Sequence, residues 1–231
     1  ILTGLYPHRA GVGHMMRDDG LPGYRGRLNE EAVTVAEALA EAGYFTAMSG
    51  KWHVGQEHGV TPWTRGFQRS LNAAAGGFYF PDAPRANLFL NGEAIRPDDP
   101  RLPPHWYATD LWTDFAIRFV EEAVELRRPF FVYLAYNAPH FPLQAPSNAI
   151  ARFRGRYMEG WDVLRERRLA RQRELGLWSG PVALAPRPPS VRPWAELGAA
   201  ERDRFDHLMA VYAACVHLMD AAIGRFVDRL A

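Results

Sequence analysis

Apolar positions along the chain follow two rhythms, one of period 3.6 and one of short unbroken runs, and their succession predicts helices alternating with strands. Val35, Ala36, Leu39 and Ala40 recur at helical spacing behind Asn29-Glu30-Glu31. That spacing predicts a helix capped by Asn29 or a neighbour and closed by Gly43. Tyr44-Phe45-Thr46-Ala47-Met48 follows, short, aromatic and β-favouring, and reads as a strand. Over 109–126, Leu111, Phe115, Ile117, Phe119, Val120 and Val124 with acids between them describe an amphipathic helix with Thr109 or Asp110 near its cap. Arg128-Pro129 breaks it, and the apolar run Phe130–Ala135 predicts a strand buried on both faces. The last pattern, from about Ala199 to Leu230, predicts a helix whose buried stripe carries Leu208, Tyr212, Cys215, Val216, Met219, Ile223 and Phe226. Helix followed by buried strand is the signature of an α/β fold with a mostly parallel central sheet flanked by helices.

The stretches between these elements are less regular. Residues 55–107 are dense in Gly, Pro, Asn and aromatics and predict a long excursion over the sheet, placed to shape substrate choice. Within it Asn91-Gly92 has hairpin chemistry. The arginines of 165–174 are interrupted by Glu166 and Glu174 and describe a solvated helix face, and 180–193 is a proline-rich connector.

Composition narrows the class. With 48% hydrophobic and 13% aromatic residues, the 231-residue chain can bury a core large enough for one domain or most of one. A net charge of +1 gives no general electrostatic case for nucleic acid or a membrane surface. The longest apolar run, 130–136, is too short to span a bilayer. A single cysteine, Cys215, excludes an internal disulfide and reads as a small core residue. Gly4 followed by Pro7 has the form of a helix end with no helix body before it, and residues 223–231 are still helix-like, so a piece cut at both ends is expected.

The candidate chemistry gathers at strand ends. Ser49-Gly50-Lys51-Trp52-His53-Val54-Gly55 runs out of the first strand into a glycine-bracketed turn. Ligands of open α/β sheets sit beyond the carboxyl ends of strands. Extended backbone turns Lys51 and His53 to one side and Trp52 to the other. Lys51 is also the one lysine among 27 Lys+Arg residues, and a compact ammonium is not interchangeable with a planar guanidinium. Beyond the second strand, Pro139 and Pro142 hold His140 in a restricted loop. Lys51, His53 and His140 are therefore predicted to surround one pocket. His8-Arg9-Ala10-Gly11-Val12-Gly13-His14 is a further glycine-spaced loop suited to an anion.

Taken in order, Leu2-Thr3-Gly4 with Tyr6-Pro7-His8-Arg9, Gly50-Lys51-Trp52-His53-Val54-Gly55 and Ala138-Pro139-His140-Phe141-Pro142-Leu143 resemble the type I sulfatases. Arg65-Gly66-Phe67, Thr109-Asp110, Thr113-Asp114, Met219-Asp220 and Ile223-Gly224-Arg225 extend the resemblance over the whole chain. The resemblance implies an alkaline-phosphatase-like fold, of which residues 1–231 would be the central part of a single catalytic domain. It implies hydrolysis of a small-molecule or carbohydrate sulfate ester by a formylglycine nucleophile, with Ca2+ holding nucleophile and sulfate. Carried over by motif, Lys51 and His53 would contact sulfate and nucleophile, and His140 the ester oxygen; Lys51 and His140 would bind substrate. The signature's Cys-x-Pro-Ser-Arg head and the carboxylates for Ca2+ have no match here, so both are expected outside the chain, which alone is expected to be inactive. A phosphodiesterase or phosphonate hydrolase of the same superfamily, or a non-catalytic binding module, are the alternatives. Neither a nucleic-acid partner nor a membrane span is expected; a periplasmic or secreted location fits the family.

Overall fold

A computed structural model describes residues 1–84 and 86–231. The chain forms two compact units, Ile1–Leu143 with Leu218–Ala231, and Gln144–His217.

The first unit is built on a five-stranded sheet of β1 (Phe45–Lys51), β2 (Arg69–Ala73), β3 (Leu88–Leu90), β4 (Glu93–Ile95) and β5 (Phe130–Ala135), in the order β4-β3-β2-β1-β5. β1 pairs in parallel with β2 on one side and β5 on the other, while β3 and β4 add an antiparallel hairpin. Helices α1 (Val35–Glu41) and α2 (Ala108–Glu125) belong to the same unit. Alternation along β1 divides the core into two clusters. Phe45 and Ala47 join Leu111, Trp112 and Phe115 of α2, whereas Met48 and Trp52 join Ala36 of α1 and Phe67.

The helix expected after Asn29 starts later. Its cap is Thr34, whose hydroxyl accepts from Glu37 N while the Glu37 carboxylate accepts from Thr34 N, a capping box. Asn29 instead ties loops together, its Oδ1 accepting from Ala32 N and its Nδ2 donating to Arg9 O. Arg65 locks this corner by donating to Glu37 and to the carbonyls of Asn29 and Ala32. Arg65-Gly66-Phe67 is thus a structural tie: a side chain at Gly66 would meet Glu37 N at 2.4 Å, and Phe67 is buried.

Two expectations about the sheet are corrected. Residues 55–107 are not only an excursion, because Arg69–Ala73 forms β2 beside β1. Two of its polar side chains are satisfied in place, Arg69 by Glu122 at 2.9 Å and Asn72 by Gln56 at 3.0 Å, while Asn91 Oδ1 accepts from the Ser70 backbone N–H. β5 is half-buried rather than buried on both faces, because it is the outermost strand of the described sheet. The Asn91-Gly92 hairpin is confirmed with φ of 49° and 85°, the signature of a type I′ turn. The helix expected over 109–126 is α2, which starts one residue earlier after Tyr107, with no side-chain cap.

The second unit holds α3 (Ser147–Ala151), α4 (Gly160–Glu174) and the first turns of α5 (Ala199–Leu230). The arginine-rich face of α4 is solvated, as expected. Trp161 meets Trp194 and Phe205 edge-on at 4.8 and 5.2 Å, and Gly160 leaves room for the Trp194 ring. The stripe of α5 is corrected: Asp206, Ala210, Val211, Ala214, Cys215 and Ala222 are buried, while Leu208, Tyr212 and Ile223 are exposed. Asp206, 1% exposed, sets the rotation by accepting from Arg154, Gly155 N and Tyr157 N. Buried Cys215 donates to the Gln144 carbonyl. By length and composition alone α5 could cross a membrane. Its last turns belong to the first unit, where Arg225 pairs with Asp110 and Asp114 and Arg229 with Glu121. Asp110, Asp114 and Arg225 of the Thr109-Asp110, Thr113-Asp114 and Ile223-Gly224-Arg225 motifs thus tie α5 to α2, and Thr113 is bonded to Tyr136 at 2.7 Å.

Candidate active site

Lys51 is the last residue of β1, level with Ala73 of β2, and the chain leaves the sheet there. Trp52 turns inward as alternation requires, its indole donating to Val60 O at 2.7 Å, so Lys51 and His53 stay on the open side. Gly50 lets β1 and β5 close up at this end: a Cβ there would sit 2.0 Å from Ala135 O. β5 ends at the same level and delivers Asn137 and His140.

The His140 loop is held from several sides. The His140 amide donates to Asn137 O at 2.8 Å, and Tyr79 OH donates to His140 O at 2.8 Å. Asn137, buried, accepts from the Trp112 indole at 2.9 Å and donates to Phe78 O at 2.7 Å. Gly76 closes the circle, because a Cβ there would lie 3.5 Å from Asn137 Cβ and 3.6 Å from Lys51 Nζ. The segment 76–79 thus touches both the Lys51 side and the His140 side. His140 Nδ1 lies 2.6 Å from the Phe141 carbonyl. A carbonyl only accepts, so Nδ1 carries the hydrogen and Nε2 is the atom free to exchange a proton.

Charge at this end is unbalanced. Among the described residues, the Lys51 ammonium has no hydrogen-bond or ion-pair partner, and burial pushes its pKa down. Burial also pushes His53 below its ordinary 6.5, and the Lys51 charge lowers it further, with Glu57 opposing and His140 adding a smaller push. Lys51 and His140 thus both act electrostatically on His53. A partly desolvated ammonium with no carboxylate on it among the described residues is chemically able to take an anion.

This electrostatic neighbourhood makes a prediction. His53 should titrate below 6.5, and Lys51→Met should move its midpoint upward, read from the imidazole signals by NMR. Because the fold disfavours protonated His53, the unfolded chain binds more protons as pH falls below 6.5, so this group costs stability toward acid. An unmoved midpoint in Lys51→Met would place the two side chains apart.

The other candidate loop is separate. His14 is taken up by Asp19 at 2.5 Å and by the edge of Tyr24. His8 and Arg9 line a cleft with Arg25, Arg27 and Arg65 that does not include Lys51, His53 or His140. The residues around Lys51 do not fit Ca2+ either, which takes roughly six to eight oxygen ligands. They offer an ammonium and imidazoles, and the described residues hold no group of three or more His, Cys, Asp or Glu suited to a metal.

A family model described as Sulfatase matches residues 1–231. The chain belongs to the sulfatase family. An uncharacterized sulfatase of Schizosaccharomyces pombe is 37% identical over 250 residues, covering 100% of this chain and 45% of that protein. An arylsulfatase of Klebsiella aerogenes is 35% identical over 237 residues, covering 100% of this chain and 51% of that one. The crystal structure of Ps i-CgsB shares the fold at a TM-score of 0.64 and 26% identity, over 99% of this chain and 42% of that chain. The same protein was crystallised in complex with k-i-k-neocarrahexaose. This sulfatase chain thus spans about half the length of the curated relatives it matches. Its mixed sheet flanked by helices is the fold of those structures.

Sequence reasoning singled out Lys51, His53 and His140 but passed over Gly76, Tyr79 and Asn137, which frame them. A proline-bounded loop after a strand signals Asn137; nothing local signals that Gly76 faces Lys51.

Proposed function

We propose that the protein to which these residues belong hydrolyses sulfate esters, with Lys51, His53 and His140 in the catalytic site. The observation that carries this reading is the Lys51 ammonium at a strand end, without a partner among the described residues, acting electrostatically on His53, which His140 also reaches. In the proposal Lys51 holds a sulfate oxygen and the nucleophile, and His53, kept neutral, accepts a hydrogen bond or proton from the nucleophile's hydroxyl. His140 Nε2 donates its proton to the ester oxygen as the S–O bond breaks, so the leaving group departs as a neutral alcohol or phenol.

The nucleophile is proposed to be a formylglycine, whose hydrated aldehyde would supply one hydroxyl to take up the sulfate and a second whose deprotonation would expel it and restore the aldehyde. No Cys-x-Pro-Ser-Arg sequence occurs in residues 1–231, and Cys215 is packed in a helix core, so another segment is assigned that role. Residues 1–231 are proposed to be the central part of one catalytic domain and to turn over no aryl sulfate by themselves. Support for a carbohydrate sulfate as substrate comes from Ps i-CgsB and its bound k-i-k-neocarrahexaose; an aryl sulfate is supported by the arylsulfatase relative.

The test is steady-state kinetics of the full-length protein and its His140→Ala variant on an alkyl or sugar sulfate and on nitrophenyl sulfate. Loss of a general acid is expected to slow the unactivated ester by about a hundredfold to ten-thousandfold. Nitrophenyl sulfate, whose leaving group needs no proton, should slow far less. Equal loss on both esters would remove the proton-donor role. Hydrolysis of a phosphodiester in place of any sulfate would make the protein a phosphodiesterase, and sulfate binding without turnover would make it a binding module.

A further inference from the structure

We infer that Phe141 is a platform for the leaving group, selecting esters whose leaving group carries a second, flat-faced ring beyond the one bonded to the ester oxygen. This inference rests on the sulfatase reading above. A lone exposed phenylalanine is ordinary on a protein surface. Phe141 differs in where it stands: its ring lies face to face with the His140 imidazole, centroids 5.0 Å apart and planes 14° from parallel. It is nevertheless 75% exposed, so one face rests on the proposed proton donor while most of the ring remains open.

Its backbone is fixed. The Phe141 carbonyl accepts from His140 Nδ1 at 2.6 Å, Tyr79 OH holds the preceding carbonyl at 2.8 Å, and Gly77 backs the Phe141 carbonyl and the Pro142 ring, with its Cβ position 3.6 and 3.5 Å from them. A preorganised aromatic face loses little freedom when a ligand covers it.

Distance decides which part of the leaving group reaches that face. An ester oxygen about 3 Å from His140 Nε2 keeps the ring that bears it within about 6 Å of that nitrogen. A ring stacked on the outer face of Phe141 sits about 4.5–7 Å beyond it, hence roughly 10 Å from the imidazole. The first ring is too close to stack there, and a second ring is at the right remove. The shared chemistry is a flat apolar face, which an aromatic ring or the apolar face of a sugar ring presents.

The experiment compares Phe141→Ala and Phe141→Tyr with the unsubstituted full-length protein on two pairs of esters. One pair is phenyl sulfate and biphenyl-4-yl sulfate, whose phenols differ little in acidity; the other is a sulfated monosaccharide and the disaccharide that extends it. Phe141→Ala is expected to raise KM for the two-ring member of a pair roughly three- to tenfold, leaving the one-ring member within about twofold, and Phe141→Tyr is expected to retain both. Selective loss in the biphenyl pair assigns the platform to aryl esters, and in the sugar pair to carbohydrate esters. Equal loss on one-ring and two-ring esters would overturn the inference, since Phe141 would then only position His140, and so would no loss on either. If the unsubstituted protein hydrolyses none of the four, the sulfatase reading falls and the platform with it.

Discussion

Lys51→Arg in the full-length protein is expected to lose about a hundredfold to a thousandfold in turnover while its fold stays intact. The change conserves charge, so a long-range electrostatic role would survive it. Shape is what changes: a guanidinium is wider and carries its donors in a plane, whereas the Lys51 ammonium sits beside Gly76, with only 3.6 Å between Nζ and the position a Cβ would take there. The wider, planar head would place its donors differently beside the 76–79 segment and away from the position of a point-like ammonium. The side chain is half-exposed at its own position and makes no bond among the described residues, so its replacement should leave stability within about 0.5 kcal/mol. Kinetics with circular dichroism reads both quantities. Near-normal turnover would mean that the lone lysine is a positional accident.

Gly50→Ala is expected to be the most damaging single methyl in the sheet. Gly50 has φ +124°, and a Cβ there would lie 2.0 Å from Ala135 O and 2.5 Å from Ala135 C, atoms of the β5 backbone that cannot step aside alone. Backbone strain and overpacking together should cost about 4 kcal/mol or more, lowering Tm by roughly 10 °C. Any relief that parts β1 from β5 also parts Lys51 from His140, so activity should fall even below the unfolding temperature. Gly76→Ala is the control for stability: its methyl meets only ordinary contacts of 3.5 and 3.6 Å, so its Tm should stay within a few degrees. A Gly50→Ala protein with unchanged Tm would show that the two strands are not packed as described.

The first strand and the candidate residues at its end were legible because period-two alternation alone separates Lys51 and His53 from Trp52. His140 was legible because prolines on either side of it leave a loop few conformations. Other features were obscured by competing local signals. Thr34 and Glu37 have the spacing of a capping box, but Asn29 with two acids behind it looked like an equally good start; the Asn29 bond to the Arg9 carbonyl and the Arg65 bond to the Asn29 carbonyl decided between them. β2 reads as loop because Arg69, Ser70 and Asn72 are polar, and only the fold supplies Glu122 to Arg69, Gln56 to Asn72 and Asn91 to the Ser70 backbone N–H. On α5, large apolar residues suggested one stripe, whereas alanines at 210, 214 and 222 and a buried Asp206 fixed another. The frame of the site, Gly76, Tyr79 and Asn137, depends on contacts between segments about 60 residues apart and has no local pattern.

The account rests on Lys51, His53 and His140 meeting one anion, and the lone lysine makes that directly measurable. The 231-residue chain carrying carbon-13-labelled lysine gives a single side-chain ε signal, which can be followed with the histidine imidazole signals while inorganic sulfate is added. The account predicts that the Lys51, His53 and His140 signals shift together and saturate with one dissociation constant, with His8 and His14 unmoved. A Lys51 signal that stays still while sulfate moves His8 or His14 would contradict it and transfer the anion site to the arginine-lined cleft.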